Sequence, residues 1–321
     1  VVLVTGGTGF IGSHIVTRLV QRDEPVVCFD LRPEPGRLGP LAEHRHVRIV
    51  EGDIARLGDL LAALRGHDVT RIIHTAAVLT GTCQSSPETA VRVNVVGTTN
   101  VLEAARLLDV ARVVYASSMV VHGSQWHHGD RVLDDDAPLF PQTFYAHTKV
   151  LNEATAAAYA DRFALDCRGL RIAAPFGPDG QMGRPGAEVT RLLTFSARAM
   201  PITIQLARGE TPPSTYIDDI AEIFVRLCFS SQLTRPVYVC SVSAVSIDEI
   251  ARMVAQLLPG TPIAFGENGA RVTLPFRINA ARLEADIDYT LPTFESRARD
   301  HINAVRRAHS LPALTAGRPQ P

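Results

Sequence analysis

Val1-Val2-Leu3-Val4-Thr5-Gly6-Gly7-Thr8-Gly9-Phe10-Ile11-Gly12 decides the fold of this chain. Residues 1–5 are mostly β-branched and apolar, the pattern of a strand buried on both faces. Glycines at 6, 9 and 12 follow at once, and a helical pattern runs over 13–21. A second apolar run, 25–29, ends in Asp30, 18 positions after Gly12. Strand, glycine turn, helix, strand and acid in this register make a dinucleotide-binding unit. The glycines let the backbone turn tightly and approach a pyrophosphate, which sits on the free amides where the helix begins, at Phe10 and Ile11. Asp30 is placed to accept hydrogen bonds from the adenosine ribose and to repel a 2′-phosphate. NAD is favoured over NADP, although Arg32 keeps NADP open.

Working outward, residues 31–46 are rich in Pro, Gly and Arg and read as a surface loop. A third strand over 47–50 runs into Gly52-Asp53-Ile54, 56–65 is helical, and a fourth strand over 71–75 ends in His74-Thr75-Ala76-Ala77. Small residues at that strand end let a cofactor lie close to the backbone, at Thr75, Ala76 and Ala77. Thr80-Gly81-Thr82-Cys83 is read as lining the substrate pocket. Cys83 serves there as a small lining residue rather than a nucleophile, since no activating base is evident. Pro87 precedes a long amphipathic segment, 88–109, that contains Asn94. A fifth strand over 112–116 ends at Ser117-Ser118-Met119. Strands alternating with helices predict an α/β, Rossmann-type doubly wound parallel sheet. Ligands bind at the carboxyl ends of such strands, where the glycine loop, Asp30, Ala76, Ala116 and Ser118 all fall.

Tyr145-Ala146-His147-Thr148-Lys149 carries the chemistry. Lys149 is the only lysine, for 32 Lys+Arg comprise one lysine and 31 arginines. An ammonium is a compact point charge that can serve two adjacent hydroxyls, which the planar guanidinium does less well. On a helix, Tyr145 and Lys149 share one face, a turn apart. A fixed cation beside a tyrosine favours phenolate, so Tyr145 is a candidate general acid/base.

Size and composition set the bounds. The chain has 321 residues, 46% hydrophobic and 20% charged, as in an ordinary globular protein with a substantial core. A net charge of -1 gives no electrostatic reason to expect nucleic acid or an anionic membrane as partner. Five cysteines, without a C-x-x-C, argue against a disulfide framework or zinc site and for a reducing cytoplasm. No apolar run reaches the roughly 18–20 residues of a membrane span. No signal peptide precedes the first strand, and the abrupt opening in that strand leads us to expect a few missing leading residues.

With the glycine loop, Asp30, Asp53, Ser118 and Tyr145-x-x-x-Lys149 in order, the chain resembles the extended short-chain dehydrogenase/reductases, the NAD-dependent epimerase/dehydratase family. The likeness spans about residues 1–309. It implies that Asp53 and Ile54 contact adenine and that Asn94 helps to hold the catalytic lysine. It also implies that Ser118 hydrogen-bonds the reacting oxygen, Tyr145 transfers the proton, Lys149 holds the nicotinamide ribose, and Pro175 lies near the nicotinamide. Hydride transfer moves a proton on the same carbinol oxygen, so an acid/base and a hydrogen-bond donor must converge there. In this family, helices equivalent to 88–109 and 145–163 pair into a four-helix bundle, so a homodimer is expected.

The second half is expected to depart from that likeness. Residues 1–172 form the cofactor domain, to which later segments return, 173–309 form a smaller C-terminal substrate-binding domain, and 310–321 a frayed tail. Expected elements are a helix near 186–199, a strand at 202–205, a helix after Asp218-Asp219, a strand at 237–240, and helices at 246–258 and 293–309. Ala174 stands where nucleotide-sugar enzymes place an asparagine, and Pro212 where they place an arginine. Losing two polar contacts to a doubly charged group predicts a substrate other than a nucleoside diphosphate sugar. Arg184, Arg191, Arg271 and Arg277 remain available to an anion. Thr80, Cys83, Ser118, Met119, Tyr145 and Ala174 are the candidate substrate contacts. His122 stands where the family has a tyrosine and is read as packing. His127-His128 with Asp134-Asp135-Asp136 is read as a solvated loop, with no metal. The expected activity is NAD-dependent oxidation or reduction of a secondary alcohol or ketone in a small, non-nucleotide substrate. The alternative is a sugar epimerase or dehydratase that recycles bound NAD, and a non-catalytic NAD sensor ranks third.

Overall fold

Val2, Leu3, Val4 and Thr5 are all buried, because the strand they form lies inside a sheet covered on both faces. The computed structural model describes residues 1–178, 180 and 187–314. The first half contains β1 (Val2–Thr5), α1 (Phe10–Gln21), β2 (Val26–Asp30), β3 (Val47–Glu51), α2 (Leu57–Gly66) and β4 (Arg71–His74). Next come α3 (Thr80–Ser85) and α4 (Pro87–Ala90), which leads through a π-helical turn, Val91–Val96, into α5 (Gly97–Leu107). β5 (Arg112–Ser118), α6 (Phe144–Phe163) and β6 (Cys167–Ile172) complete this half. The second half contains β7 (Ala174–Phe176), α7 (Glu188–Ala197), β8 (Ile202–Leu206), β9 (Ser214–Tyr216), α8 (Ile217–Phe229) and β10 (Val237–Val239). It closes with α9 (Ile247–Leu257), β11 (Ile263–Ala270), α10 (Ala281–Ile287) and α11 (Phe294–Ala308).

Seven strands form one parallel sheet in the order β10-β6-β5-β4-β1-β2-β3. Side chains alternate across it. Val2 and Val4 pack with Ile15 and Leu19 of α1 and Ile220 and Phe224 of α8 on one face. Leu3, Val27 and Phe29 pack with Leu60 of α2 and Val101 and Leu102 of α5 on the other. Burying each large aliphatic side chain is worth roughly 1.5–3 kcal/mol, so these faces fix the strand order. The chain reverses direction across the sheet between β1 and β4, and that crevice is where such folds bind ligands. A third apolar cluster joins Phe176, α7, β8, α9 and α11 beside the sheet.

Several expectations need correction. The Pro-rich segment 31–46 lies at the surface as expected, but it contains two short 3-10 turns, Pro35–Arg37 and Gly39–Glu43, and Leu38 within it is buried. The 88–109 segment is not one uniform helix but contains the π-helical turn. Asp218 and Asp219 lie within the first turn of α8, not before it. Charge there complements the helix dipole, and Asp219 is held by Arg297 and by the Tyr289 hydroxyl. β7, β9, β11 and α10 had no sequence expectation, being short or only weakly patterned. The expected start of the seventh helix, at 186, and most of the tail lie outside the described residues.

Candidate active site

Thr143 caps α6, accepting the Ala146 amide on its hydroxyl at 3.1 Å, a contact worth about 1 kcal/mol. The cap sets the phase of the helix. Tyr145, Lys149, Asn152, Glu153 and Ala156 then fall on its buried side, at three- and four-residue spacing. Lys149 is only 4% exposed, and its Nζ donates to the Ala116 carbonyl on β5 at 2.8 Å. The same ammonium lies 5.6 Å from the centroid of the Tyr145 ring. Burial lowers its pKa to about 8, while Cys83 and Glu153 act in the opposite direction.

Ser118 closes β5 and accepts the Val120 amide at 3.4 Å. Its neighbour Ser117 belongs to a network that sequence reasoning missed. Ser117 Oγ donates to Glu153 Oε1 at 2.5 Å, and Arg171 holds both Glu153 oxygens at 3.0 and 2.9 Å. Arg171 Nη1 also donates to His122 Nε2 at 3.3 Å and to the Asp135 carbonyl at 2.9 Å. His122 therefore carries its proton on Nδ1, facing the Pro138 carbonyl at 3.0 Å. Burial pulls its pKa down to about 4. A signal was present: Tyr145, Lys149 and Glu153 repeat at intervals of four, and Arg171 interrupts an apolar strand.

Asn94 sits in the π-helical turn, where its side chain clamps both backbone groups of Val78, at 2.9 and 3.0 Å. It also reaches Thr148 at 3.3 Å and the Cys83 sulfur at 3.6 Å. It thus braces Thr148, the residue before Lys149. Beneath it, Thr98 donates to the Asn94 carbonyl at 2.6 Å and lies 3.0 Å from His74 Nε2. His74 Nδ1 is 2.7 Å from Thr5 Oγ1. With Thr98 donating to Asn94, His74 donates from Nε2 and accepts from Thr5. Burial, followed by Lys149, lowers His74 to about 3, so it stays neutral.

The glycine loop stands at the head of β1. Gly6 adopts φ +67°, and a Cβ on Gly12 would lie 2.0 Å from the Gly6 carbonyl, so neither position tolerates a side chain. Gly9 caps α1 without a side-chain acceptor, which leaves the amides of Phe10, Ile11 and Gly12 to an anion. Asp30 accepts the Thr8 amide and hydroxyl at 3.2 and 2.8 Å, which pins the loop to the end of β2. Arg32 is exposed. Asp53 pairs with Arg92 at 2.9 Å and accepts the Ala55 amide at 2.9 Å, beside the buried Ile54. Thr75 Oγ1 donates to the Thr5 carbonyl at 2.8 Å, and Ala76 and Ala77 follow it, partly exposed.

The substrate-side expectations fare less evenly. Thr80 opens α3 and is partly exposed, but Cys83 is fully buried against Tyr145 and Ala90. Met119 is likewise fully buried, packed in the sheet core. Both side chains are fully buried, Cys83 in the small cluster with Tyr145 and Met119 in the core that joins the sheet to α1 and α8. Ala174 donates its amide to the Pro213 carbonyl at 3.0 Å, Pro212 is buried, and Pro175 is partly exposed between them and Phe176. Arg191 is paired with Glu188 at 2.6 Å and Arg277 with Asp130 at 2.9 Å, while Arg271 is exposed and Arg184 lies outside the described residues. His127, Asp134 and Asp136 are exposed, as a solvated loop requires, but the Asp135 side chain is only 7% exposed, because its carboxylate accepts the Val239 amide at 2.7 Å. No group of three or more His, Cys, Asp or Glu among the described residues is placed to hold a metal ion.

Residues 2–239 match the family model described as the NAD dependent epimerase/dehydratase family. The chain belongs to that family. NAD is its cofactor, and the α1 amides without a side-chain cap, the tight turn through Gly6, Gly9 and Gly12, and Asp30 fit a dinucleotide. This family member is 30% identical over 235 residues to a probable UDP-glucuronate 4-epimerase of Rhizobium meliloti (strain 1021), covering 70% of this chain and 67% of that protein. It is 41% identical over 109 residues to human 3 beta-hydroxysteroid dehydrogenase type 7, covering 32% of this chain and only 28% of that relative's length. The solved structure of MoeE5 in complex with UDP-glucose and NAD superposes with a TM-score of 0.78 at 28% identity, covering 96% of this chain and 99% of that one. No helix among the described residues is long and apolar enough to cross a membrane.

Proposed function

We propose that this family member is an NAD-dependent oxidoreductase of a secondary alcohol or its ketone in a small, non-nucleotide substrate. The single observation that carries the reading is the Lys149 ammonium, buried 5.6 Å from the Tyr145 ring and tethered to the strand that ends in Ser118. NAD, when bound, supplies the hydride chemistry. Gly6, Gly9, Phe10, Ile11, Gly12, Asp30, Asp53, Ile54, Thr75, Ala76, Ala77, Ala116 and Pro175 are the residues that would hold it. Ser118 orients the carbinol or carbonyl oxygen, and Tyr145 takes or gives its proton. Lys149 keeps a positive charge beside Tyr145 and serves the ribose, with Asn94 bracing the adjoining turn through Thr148. The substrate class is supported by Ala174 and Pro212, which bring no side-chain donor to a diphosphate, and by the engagement of Arg191 and Arg277 with carboxylates.

A second reading is favoured by the 70% coverage of this chain in its match to an epimerase: the hydride is taken and returned, and NAD stays bound. Near-UV absorbance of the purified protein, given NAD and a panel of secondary alcohols and sugars, separates the two. Free NADH is expected to accumulate with one alcohol. Conversion of a sugar without NADH release, or tight calorimetric binding of UDP, overturns the oxidoreductase reading. For partners, we propose a homodimer through the outward faces of α5 and α6. The five buried, unpaired cysteines suit a reducing, cytoplasmic setting.

A further inference from the structure

Glu153 lies one helical turn beyond Lys149, as Lys149 lies one turn beyond Tyr145, and all three are buried. Two successive β5 residues anchor this helix, since Ala116 accepts Lys149 and Ser117 donates to Glu153. Arg171 stands beside Ser117 in the sheet register and grips Glu153 through both oxygens. Its remaining amino group holds His122 and the Asp135 carbonyl. Ser118 is therefore bracketed, with Ser117 tied on one side and His122 on the other. We propose that the Glu153–Arg171 pair is the positioning unit of this site: it fixes Ser118 against the Tyr145 helix and supplies the negative charge opposite which Lys149 holds its proton.

The charges around Lys149 support this assignment. Tyr145 and Glu153 face it from α6, Cys83 from α3 and His74 from β4, with Arg171 of β6 beyond Glu153. His74 is held neutral by burial and by Lys149, and burial raises the Cys83 thiol. Glu153 is left as the carboxylate of the set. Arg171 in turn binds both oxygens of that carboxylate in a dry site, where an unpaired charge is costly. The pair is thus a positioning element rather than a catalytic residue. Its link to Ser118 rests on the proposed function, whereas its link to the Lys149 charge does not.

The single lysine makes the test direct. Protein labelled with 13Cε-lysine gives one side-chain signal, whose titration reports Lys149 alone. Glu153→Gln should move the titration midpoint down by at least one pH unit, a tenfold loss of proton affinity, while Glu153→Asp should retain most of it. If Glu153→Gln does not fold, the double variant Glu153→Met/Arg171→Met leaves neither charge unpaired and should show a smaller downward move, because the more distant Arg171 cation is lost with the carboxylate. An unchanged midpoint in the folded variants overturns the proposal. For Ser118, turnover of the alcohol found in the panel should fall about a hundredfold in Glu153→Gln, and NAD affinity should change less than turnover. Unchanged turnover overturns the positioning of Ser118. If Tyr145→Phe stays active the proposed function fails, yet the lysine titration still decides the role of the pair.

Discussion

The Lys149 ammonium donates to the Ala116 carbonyl at 2.8 Å, which ties the helix that carries Tyr145 to the strand that ends in Ser118. An ammonium held in a dry site costs desolvation energy, and a buried charge is weak evidence for stability. Lys149→Met should therefore fold with a Tm equal to or above that of the parent, measured by calorimetry. NAD affinity should fall at least tenfold, about 1.4 kcal/mol. Lys149→Arg should not restore it, because a planar fork cannot replace a point charge in this space. Full NAD affinity in Lys149→Met would refute the ribose assignment.

Tyr145→Phe removes one oxygen and keeps the ring that packs on Cys83 and Ala90. Turnover should drop by 10² or more, the range of general acid–base catalysis. NAD binding, followed by calorimetry, should change by less than threefold.

A methyl group on Gly12 would lie 2.0 Å from the Gly6 carbonyl. Gly12→Ala should lower stability by roughly 1–3 kcal/mol, the cost of overpacking, and remove most NAD affinity. Gly58→Ala, in α2, is the control, since nothing lies within 4 Å of its added carbon. There the helix should gain up to about 1 kcal/mol. Urea melts of both variants, with NAD titrations, check the contrast.

Three buried histidines set the acid limit. Burial lowers His74 and His301 to about 3 and His122 to about 4, against an ordinary value of 6.5. Between pH 6.5 and 4 the unfolded chain binds these protons and the native protein does not, so stability is lost as the pH falls. Their contribution is complete above pH 6.5. Each fully responding histidine contributes about 1.4 kcal/mol per pH unit, so the three together approach roughly 4 kcal/mol per unit. A urea midpoint that stays level from pH 6.5 to 4.5 would count against neutral burial.

Val96 and Leu107 on α5 and its entry, with Leu151 and Phe163 on α6, are 41–49% exposed. Large apolar side chains gathered on two neighbouring helices mark an interaction surface. Light scattering at micromolar concentration should give twice the chain mass, and Leu151→Glu should halve it while leaving the circular dichroism spectrum unchanged. A monomeric parent protein disposes of the dimer.

The first 30 residues determined the cofactor half by themselves. Gly6, Gly9, Gly12 and Asp30 act through local backbone conformation and spacing, which a linear chain displays openly. The Tyr145–Lys149 turn was equally legible, since a helical interval of four puts both on one face wherever the helix lies. The full burial of Cys83 and Met119 was not legible, because exposure is a property of what packs around a residue. Asp135 looked solvated in its acidic run, yet an amide 104 positions away draws its carboxylate out of solvent. The Ser117–Glu153–Arg171–His122 network joins one helix, two strands and a turn, and only sheet register brings Ser117 beside Arg171. The sequence by itself determined the glycine turn at the head of the first strand and the shared helical face of Tyr145 and Lys149, because local spacing sets both. The tertiary structure decided what fixes those groups and what charge surrounds them, because burial and long-range pairing exist only once the layers have packed.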